Sequence, residues 1–412
     1  MKHFDLIVVG GGPAGIFAAG FAAQMGKRVL LLEKNRRCGA KVLITGKGRC
    51  NVTNSEEDPR RFCDKFGRRG KSLLTALYAF SVQDTIDFFE QRGLALKSER
   101  GGRVFPDQGN AADVQKVLDR FISESGVVLQ TQCEVKELLF QDDKISEVNT
   151  SQGSFSADNF VVATGGLSYP ETGCTGDGYD WASQSGHKIV APEPALVPVK
   201  LVEDWTTELI RFNMKNVRIS LMQAGKKLDE RFGEAFFTRH GIGGPIILDM
   251  SAAIRDALKK GAVQLQLDLK PAVDEDLFDK RLQRELAAQS NKNFSNALGG
   301  LLPKDMIPLF IRLSGIPEFR KCHSVTKNER KNLLNLFKRM ELQVSEITGF
   351  EKAIITSGGV ALNDIDMRTM RSKKVENLSF AGEMIDLDGP TGGYNLQLCW
   401  STGYLAGISL AT

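Results

Sequence analysis

The chain has 412 residues, 42% hydrophobic and 25% charged, with 54 basic and 50 acidic residues and a net charge of +4. That length allows two or three domains and a core large enough to enclose a cofactor, and the near-balanced charge makes no general demand for a nucleic-acid partner. Its 7 cysteines are widely spaced with no C-x-x-C pair, which excludes a disulfide scaffold and a structural zinc site.

No apolar run approaches the roughly 20 residues of a membrane span. The scattered histidines offer no metal site, so the expectation is a cytoplasmic protein with no membrane partner and no metal.

In chain order, Leu6 to Val9 is a continuous apolar run, as in a strand buried on both faces of a parallel sheet. Gly10-Gly11-Gly12-Pro13-Ala14-Gly15 follows and satisfies G-x-G-x-x-G. A small-residue helix then ends near Gly26, Val29 to Leu32 form a second buried strand, and Glu33 closes it. Gly10 permits the tight turn, Gly12 lets backbone approach a pyrophosphate, and Gly15 lets helix and strand pack. The helix start, with Pro13 first and Ala14 next, offers free N–H groups beyond the proline and a positive dipole end. Glu33, 18 residues after Gly15, is placed to accept ribose hydroxyls, with Lys34 beside it. Strand, helix, strand and acid in this order predict a dinucleotide half-site, which serves FAD or NAD equally.

Three further segments favour flavin. From Gly39 to Asn54 the chain makes a glycine-rich excursion where an NAD domain would start its next βαβ unit. Its Lys41, Thr45, Gly48, Arg49, Cys50 and Asn51 supply cations and polar groups suited to a pyrophosphate and the edge of a ring. The strand Phe160 to Val162 ends in Ala163-Thr164-Gly165-Gly166, followed by Tyr169, Thr172 and Asp177; small residues there let a strand end lie against a planar ligand. Near the C-terminus, Gly382-Glu383 ends a strand, and Gly389, Gly392 and Gly393 lead into Tyr394-Asn395-Leu396 and an apolar helix whose start can face the electron-rich edge of a flavin. Val135, within Cys133 to Leu138, can meet the adenine through its backbone. The two chain ends together then complete one FAD site, the cofactor being held tightly and without a covalent bond.

Between these segments the texture changes at 191, where Pro192, Pro194 and Pro198 mark a crossing. Alternating runs at Val217–Met222 and Val263–Leu269 predict antiparallel strands. Asp274–Ala288, Lys304–Leu313 and Thr326–Arg339 predict helices, and Glu351–Thr356 is expected to return to the sheet. Gly70-Lys71-Ser72 lacks the first glycine and preceding strand of a phosphate loop, and is expected to be a loop opening a helix at Ser72.

The runs GAKVLITGKGRCNVTN, GRVFP (102–106), VVATGGLSYP, FTRHGIGGP (237–245) and FAGEMIDLDGPTGGYNLQ resemble the YhiN/BaiN-like flavoproteins, also called RdsA-like or aminoacetone-oxidase-like NAD(P)/FAD-dependent oxidoreductases. The resemblance spans nearly the whole chain. It implies an α/β fold with an α+β insert: a Rossmann-like FAD domain at 1–190 and 350–412, a β-barrel-like insert at 191–272 and 341–349, and a helical subdomain at 273–340. Lys47 stands where the family often has glycine, and Gly243 where serine is usual. The family's activities include reduction of conjugated C=C bonds, dihydrouridine formation in ribosomal RNA and oxidation of small amino-ketones. GRVFP lacks the cysteine of the RNA-modifying branch, so a small-molecule substrate is favoured over nucleic acid.

A flavin reductase needs a hydride source and a group that protonates product or polarises its carbonyl. With no second dinucleotide fingerprint, NAD(P)H would visit the flavin transiently. Arg103, His240 and Tyr394 are the candidates for polar work, Tyr394 more as a pocket wall than as an acid. The expected activity is NAD(P)H-driven reduction of an activated C=C bond; the alternatives are an amino-ketone oxidase and an RNA-modifying flavoenzyme.

Overall fold

The computed structural model describes residues 2–210 and 212–410. The chain divides into two units, one built from residues up to 195 together with those from 350 onward, the other from 196–349.

In the first unit β1 (Lys2–Val9), the helix α1 (Pro13–Gln24) and β2 (Val29–Leu32) follow one another as a βαβ start. The apolar ends of both strands are buried, because each is covered on two faces. β1 is central: it pairs in parallel with β2 on one side and with Gly153–Val162 on the other. Val128–Gln130 extends the sheet beyond β2, and Leu378–Phe380 lies in parallel beyond Gly153–Val162. Chain order therefore reverses at β1, which opens a crevice at the C-terminal ends of these strands.

The core of this unit gathers around Phe17, which meets Phe80, Phe88, Phe121 and Trp400 with ring centroids 4.6–6.1 Å apart. α1 and the last helix, Tyr394–Ile408, carry little amphipathic contrast, as expected of buried helices. They approach backbone to backbone: a Cβ on Gly403 would fall 2.3 Å from the Ala14 carbonyl oxygen, and one on Gly407 2.4 Å from that of Ala18.

The second unit is a closed antiparallel barrel of six strands, in the spatial order Val199–Leu201, Gly241–Gly243, Lys226–Thr238, Asn213–Gln223, Val263–Asp268 and Met340–Ile347. Alternate residues such as Ile219, Leu221, Leu265, Leu267 and Leu342 are fully buried. Helices Glu275–Ala288, Phe294–Leu298, Ile307–Ser314 and Lys327–Lys338 share that core, with Phe337 between Phe278 and Phe310 at 5.0 and 4.8 Å. Lys338, itself buried, ties the helices to the barrel: its Nζ donates to Asp268 Oδ2 (2.7 Å) and to the carbonyls of Lys270 (2.8 Å) and Val273 (2.7 Å).

Several expectations are corrected. The crossing at 190/191 falls inside the strand Ile189–Ala195, which is held in the first unit by antiparallel pairing to Ile355–Val360. The segment after Glu351 does not rejoin the main sheet: its strand begins at Ile355 and forms a separate two-stranded sheet with that partner. Gly70-Lys71-Ser72 already lies in a 3-10 stretch, Gly67–Leu73, and the α-helix begins at Leu74. The helix expected from Lys304 divides into a 3-10 turn, Lys304–Met306, and an α-helix from Ile307, where Pro308 is tolerated in the first turn.

Candidate functional site

The glycine loop leaves β1 and enters α1 with Gly12 as the N-cap, in extended conformation and with Pro13 at the first helical position. Gly15 has no room for a side chain, since its Cβ would fall 1.8 Å from the Gly10 carbonyl oxygen. Gly12 differs: a Cβ there would meet nothing within 4 Å, because this glycine faces the open crevice. The first-turn N–H groups of α1 have no intrahelical acceptor and carry the positive end of the helix dipole. Glu33 is buried and fixed from both sides, its Oε2 accepting Gly11 N–H (2.8 Å) and its Oε1 accepting Asn35 N–H (2.7 Å). Gly39 N–H donates to the Gly11 carbonyl at 2.8 Å, which brings the start of the glycine-rich excursion against the loop.

Around this cradle is a pocket, partly open to solvent, whose empty space together with the solvent at its mouth is about 830 Å³. Its other walls are the strand end Ala163-Thr164-Gly165, the later strand end Ala381-Gly382, Val135, and a polar wall of Lys41 and Glu383. Lys41 Nζ donates to Glu383 Oε2 at 2.7 Å and to Ser168 Oγ. Glu383 Oε1 accepts Ser168 Oγ–H (2.8 Å) and Thr356 N–H (2.7 Å). Burial opposes the charge on Lys41, but the Glu383 carboxylate outweighs it and holds the ammonium above its usual range. Lys34 pairs with Asp177 at 2.7 Å along the same rim. Three cysteines, Cys133, Cys174 and Cys399, also line the pocket. Burial pushes Cys174 up and Cys399 to about 12, which disfavours the nucleophilic thiolate in both.

The structure thus brings together Gly10, Gly12, Pro13, Ala14, Glu33, Lys34, Lys41, Val135, Ala163, Thr164, Gly165, Thr172, Asp177, Gly382 and Glu383. The remaining sequence candidates lie outside the lining. Gly15 is the packing glycine behind the loop, and Gly166 sits against Thr356. Thr45 Oγ donates to the Val42 carbonyl (2.7 Å), Gly48 follows it in the same 3-10 segment, and the Cys50 thiol is buried and pushed up to about 12. Lys47, where glycine is frequent in the resembling family, has a left-handed backbone at φ 58°. Arg49 pairs with Glu99 (2.6 Å) and lies 4.1 Å over the Phe105 ring. Tyr169 also has a left-handed backbone, and its N–H donates to the Phe350 carbonyl. Asn395 closes the loop ahead of the last helix, exchanging hydrogen bonds with Gly389 N–H (2.8 Å) and its carbonyl (2.9 Å). Asn54 Nδ2 donates to the Gly392 carbonyl at 3.0 Å, Gly393 caps the helix, and Leu396 is partly buried in it.

Of the catalytic candidates, Arg103 is half-buried on the strand Arg103–Pro106, with Nε donating to the Arg100 carbonyl at 3.1 Å. Tyr394 is buried against Phe62 and Phe66 at 4.7 and 6.3 Å and lies outside the pocket lining, where it was expected as a wall. His240 belongs to the second unit, on an exposed turn whose carbonyl accepts Leu201 N–H at 3.0 Å.

Sequence reasoning overlooked Asn35, Gly39, Cys174 and Cys399 in the lining, and Ser168 and Thr356 behind it. The VVATGGLSYP run contains Ser168 and the GAKVLITGKGRCNVTN run begins at Gly39, and these were the available signals; Thr356 had none. Among the described residues, no group of three or more His, Cys, Asp or Glu side chains could hold a metal ion, and no helix is long and apolar enough to cross a membrane.

The donor set suits a dinucleotide: a helix start with unsatisfied N–H groups, a glycine facing open space, an ordered acid, and small residues at two strand ends. Outside the lining, Asn51 Oδ1 is buried and without a protein partner, a polar atom of the kind that a ligand or water satisfies.

The family described as HI0933-like protein Rossmann domain matches residues 4–409. A 3-dehydro-bile acid delta(4,6)-reductase of Clostridium scindens is 30% identical over 407 residues, 98% of each chain. A ribosomal RNA dihydrouridine synthase of Escherichia coli is 29% identical over 408 residues, 98% of this chain and 97% of that protein. Among solved structures, a 3-ketosteroid-delta4-(5alpha)-dehydrogenase of Rhodococcus jostii superposes with a TM-score of 0.56 at 14% identity, covering 99% of this chain and 96% of its own, a likeness of fold.

Proposed function

This chain belongs to the HI0933-like Rossmann-domain family of FAD-dependent oxidoreductases, and from that premise we propose that it reduces a conjugated C=C bond of a small molecule at the expense of NAD(P)H. The observation that carries this reading is the match along 98% of both chains to a reductase of such bonds, joined to a preformed dinucleotide pocket.

FAD, when bound, supplies the hydride-accepting and hydride-donating ring system. The chain's own residues do the rest. The α1 N-terminus and the exposed face of Gly12 hold the pyrophosphate by N–H donation. Glu33, already oriented by Gly11 and Asn35, accepts the ribose hydroxyls. The strand ends at Ala163–Gly165 and Ala381–Gly382 flank the ligand without bulky side chains. Arg103, which lies outside the pocket lining, is the candidate cation that would polarise the substrate's carbonyl oxygen.

Anaerobic stopped-flow of the purified holoprotein tests this. NADH or NADPH should bleach the flavin absorbance, and a conjugated enone should restore it. Bleaching by neither nicotinamide removes the reading; restoration by oxygen with peroxide release, but by no enone, replaces it with an oxidase.

A second reading is favoured by the match, 29% identical over 98% of this chain, to a ribosomal RNA dihydrouridine synthase, and by the distribution of charge. Residues 196–349 contain 25 basic and 19 acidic residues, so that the positive charge of the chain resides in this segment. Such a bias suits a polyanion, as an RNA-directed flavoenzyme would require. Binding to ribosomal RNA that weakens steeply with salt supports it; absence of binding at low salt dismisses it.

A further inference from the structure

The polar wall of the pocket is itself a construction that joins distant parts of the sequence. Lys41 comes from the loop after β2, Ser168 from the loop after Gly153–Val162, Thr356 from the strand Ile355–Val360, and Glu383 from the turn after Leu378–Phe380. Three of the hydrogen bonds to the Glu383 carboxylate are made within this cluster, from Lys41 Nζ, Ser168 Oγ and Thr356 N–H. Ser168 is held in turn, its N–H donating to Thr356 Oγ1 at 3.1 Å, as does that of Leu167 at 2.7 Å. The side chains of Lys41 and Glu383 are only 18% and 17% exposed, so neither charge is stable there without the other.

Loop 39–41 is then fastened at two points: Gly39 N–H to the Gly11 carbonyl at one end, and the Lys41 ammonium to Glu383 at the other. The first fastening fixes the loop to the phosphate cradle, the second to the strand end contributed by the last part of the chain. We infer that Lys41 and Glu383 act through each other as a positioning pair, a buried ionic latch, braced by Ser168 and Thr356, that closes the pocket wall and so sets the affinity for FAD. The inference rests on the FAD reading for its ligand, although the latch itself is a property of the chain alone.

A double-mutant cycle decides it. Apoprotein is prepared from the unaltered chain, Lys41→Met, Glu383→Gln, the double variant, and the conservative Lys41→Arg. FAD affinity is followed by quenching of flavin fluorescence, and the thermal midpoint is measured without FAD. Each neutralised single variant should bind FAD at least about 10-fold more weakly, because a buried charge loses its partner. The double variant should be no worse than the poorer single one, and Lys41→Arg should restore affinity to within about 3-fold. The bound-flavin absorption spectrum should be displaced in Lys41→Met and recover in Lys41→Arg. The midpoint without FAD should fall in both single variants and recover in part in the double one.

Should a single variant fail to fold, Ser168→Ala keeps both charges and removes only the brace. It should weaken FAD binding in the unaltered chain and have no further effect in Lys41→Arg/Glu383→Asp, where the brace is already displaced. Losses of affinity that multiply in the double variant would show two independent contacts and overturn the latch, as would a Lys41→Arg protein that binds no better than Lys41→Met. If the unaltered apoprotein takes up no FAD, the cofactor reading fails, while coupling of the thermal midpoints still decides whether the latch exists.

Discussion

His187 illustrates how a residue that looks peripheral in sequence becomes a determinant of stability. Its ring is buried, with Nδ1 facing Ser185 Oγ (2.9 Å) and the Ala182 carbonyl (3.2 Å), Nε2 facing Ser372 Oγ (2.6 Å), and the Phe380 ring edge-on at 4.9 Å. Burial holds its pKa below the ordinary 6.5, with the Ala182 carbonyl and Asp364 acting in the opposite sense and Lys374 with burial. The folded protein therefore takes up this proton less readily than the unfolded chain. Its contribution to stability is complete above pH 6.5 and is lost as pH falls through the lower folded value. The thermal midpoint should decline from pH 7 to pH 5, and the decline should be shallower in His187→Gln. Parallel declines in both proteins would remove His187 from the account. Nothing in the spacing around His187 foretold this, because burial of a lone histidine depends on strands that are distant in sequence.

At the scale of an element, the strand–loop–helix start was legible because its constraints are local. The glycines of the loop nevertheless serve different ends, which the structure separates and a motif cannot. Gly15 is excluded from any larger residue by the Gly10 carbonyl at 1.8 Å, whereas Gly12 has extended backbone and empty space before it. Gly12→Ala should fold with a thermal midpoint within about 2 °C of the unaltered apoprotein, since an exposed site free of strain costs little. Its methyl group enters the phosphate cradle, and FAD affinity should fall about 100-fold or more, as the loss of close backbone approach implies. Gly15→Ala should lower the midpoint sharply, by an overpacking cost of about 1–3 kcal/mol or more. Calorimetry of the two apoproteins beside FAD titration distinguishes the roles; equal destabilisation would refute the division. The excursion after β2 was less legible. Its polar composition pointed to ligand contact throughout, but Arg49 is committed to Glu99 and Phe105, and Cys50 to the interior, so that within it Gly39, Ala40 and Lys41 line the pocket. Composition reports that a loop is polar and flexible; which side chains turn inward is decided by partners such as Glu383, hundreds of residues away.

At the scale of the whole molecule, the position of the insert follows from strand pairing on either side of two chain crossings. In the first unit Ala195 lies opposite Ile355, the last and first residues of adjacent antiparallel strands. In the second, Val199 pairs with Ile347 and Lys200 with Glu346, and Thr348 N–H donates to the Pro198 carbonyl. Each unit thus brings its own two crossing ends together, and each has a separate apolar core. A segment of about 150 residues with a closed barrel and a core of its own is large enough to fold alone. Residues 196–349, expressed as a fragment, should show a single cooperative thermal transition and no affinity for FAD. The complementary protein, with Ala195 joined to Phe350 through a flexible linker of roughly six residues, should fold and bind FAD, because the lining of the dinucleotide pocket lies in that unit alone. Calorimetry of the fragment and fluorescence quenching with the joined protein measure the two halves of this expectation separately. A fragment that melts without a cooperative transition would show that the barrel core is insufficient by itself, and a joined protein that folds without binding FAD would show that the dinucleotide site requires residues between 196 and 349.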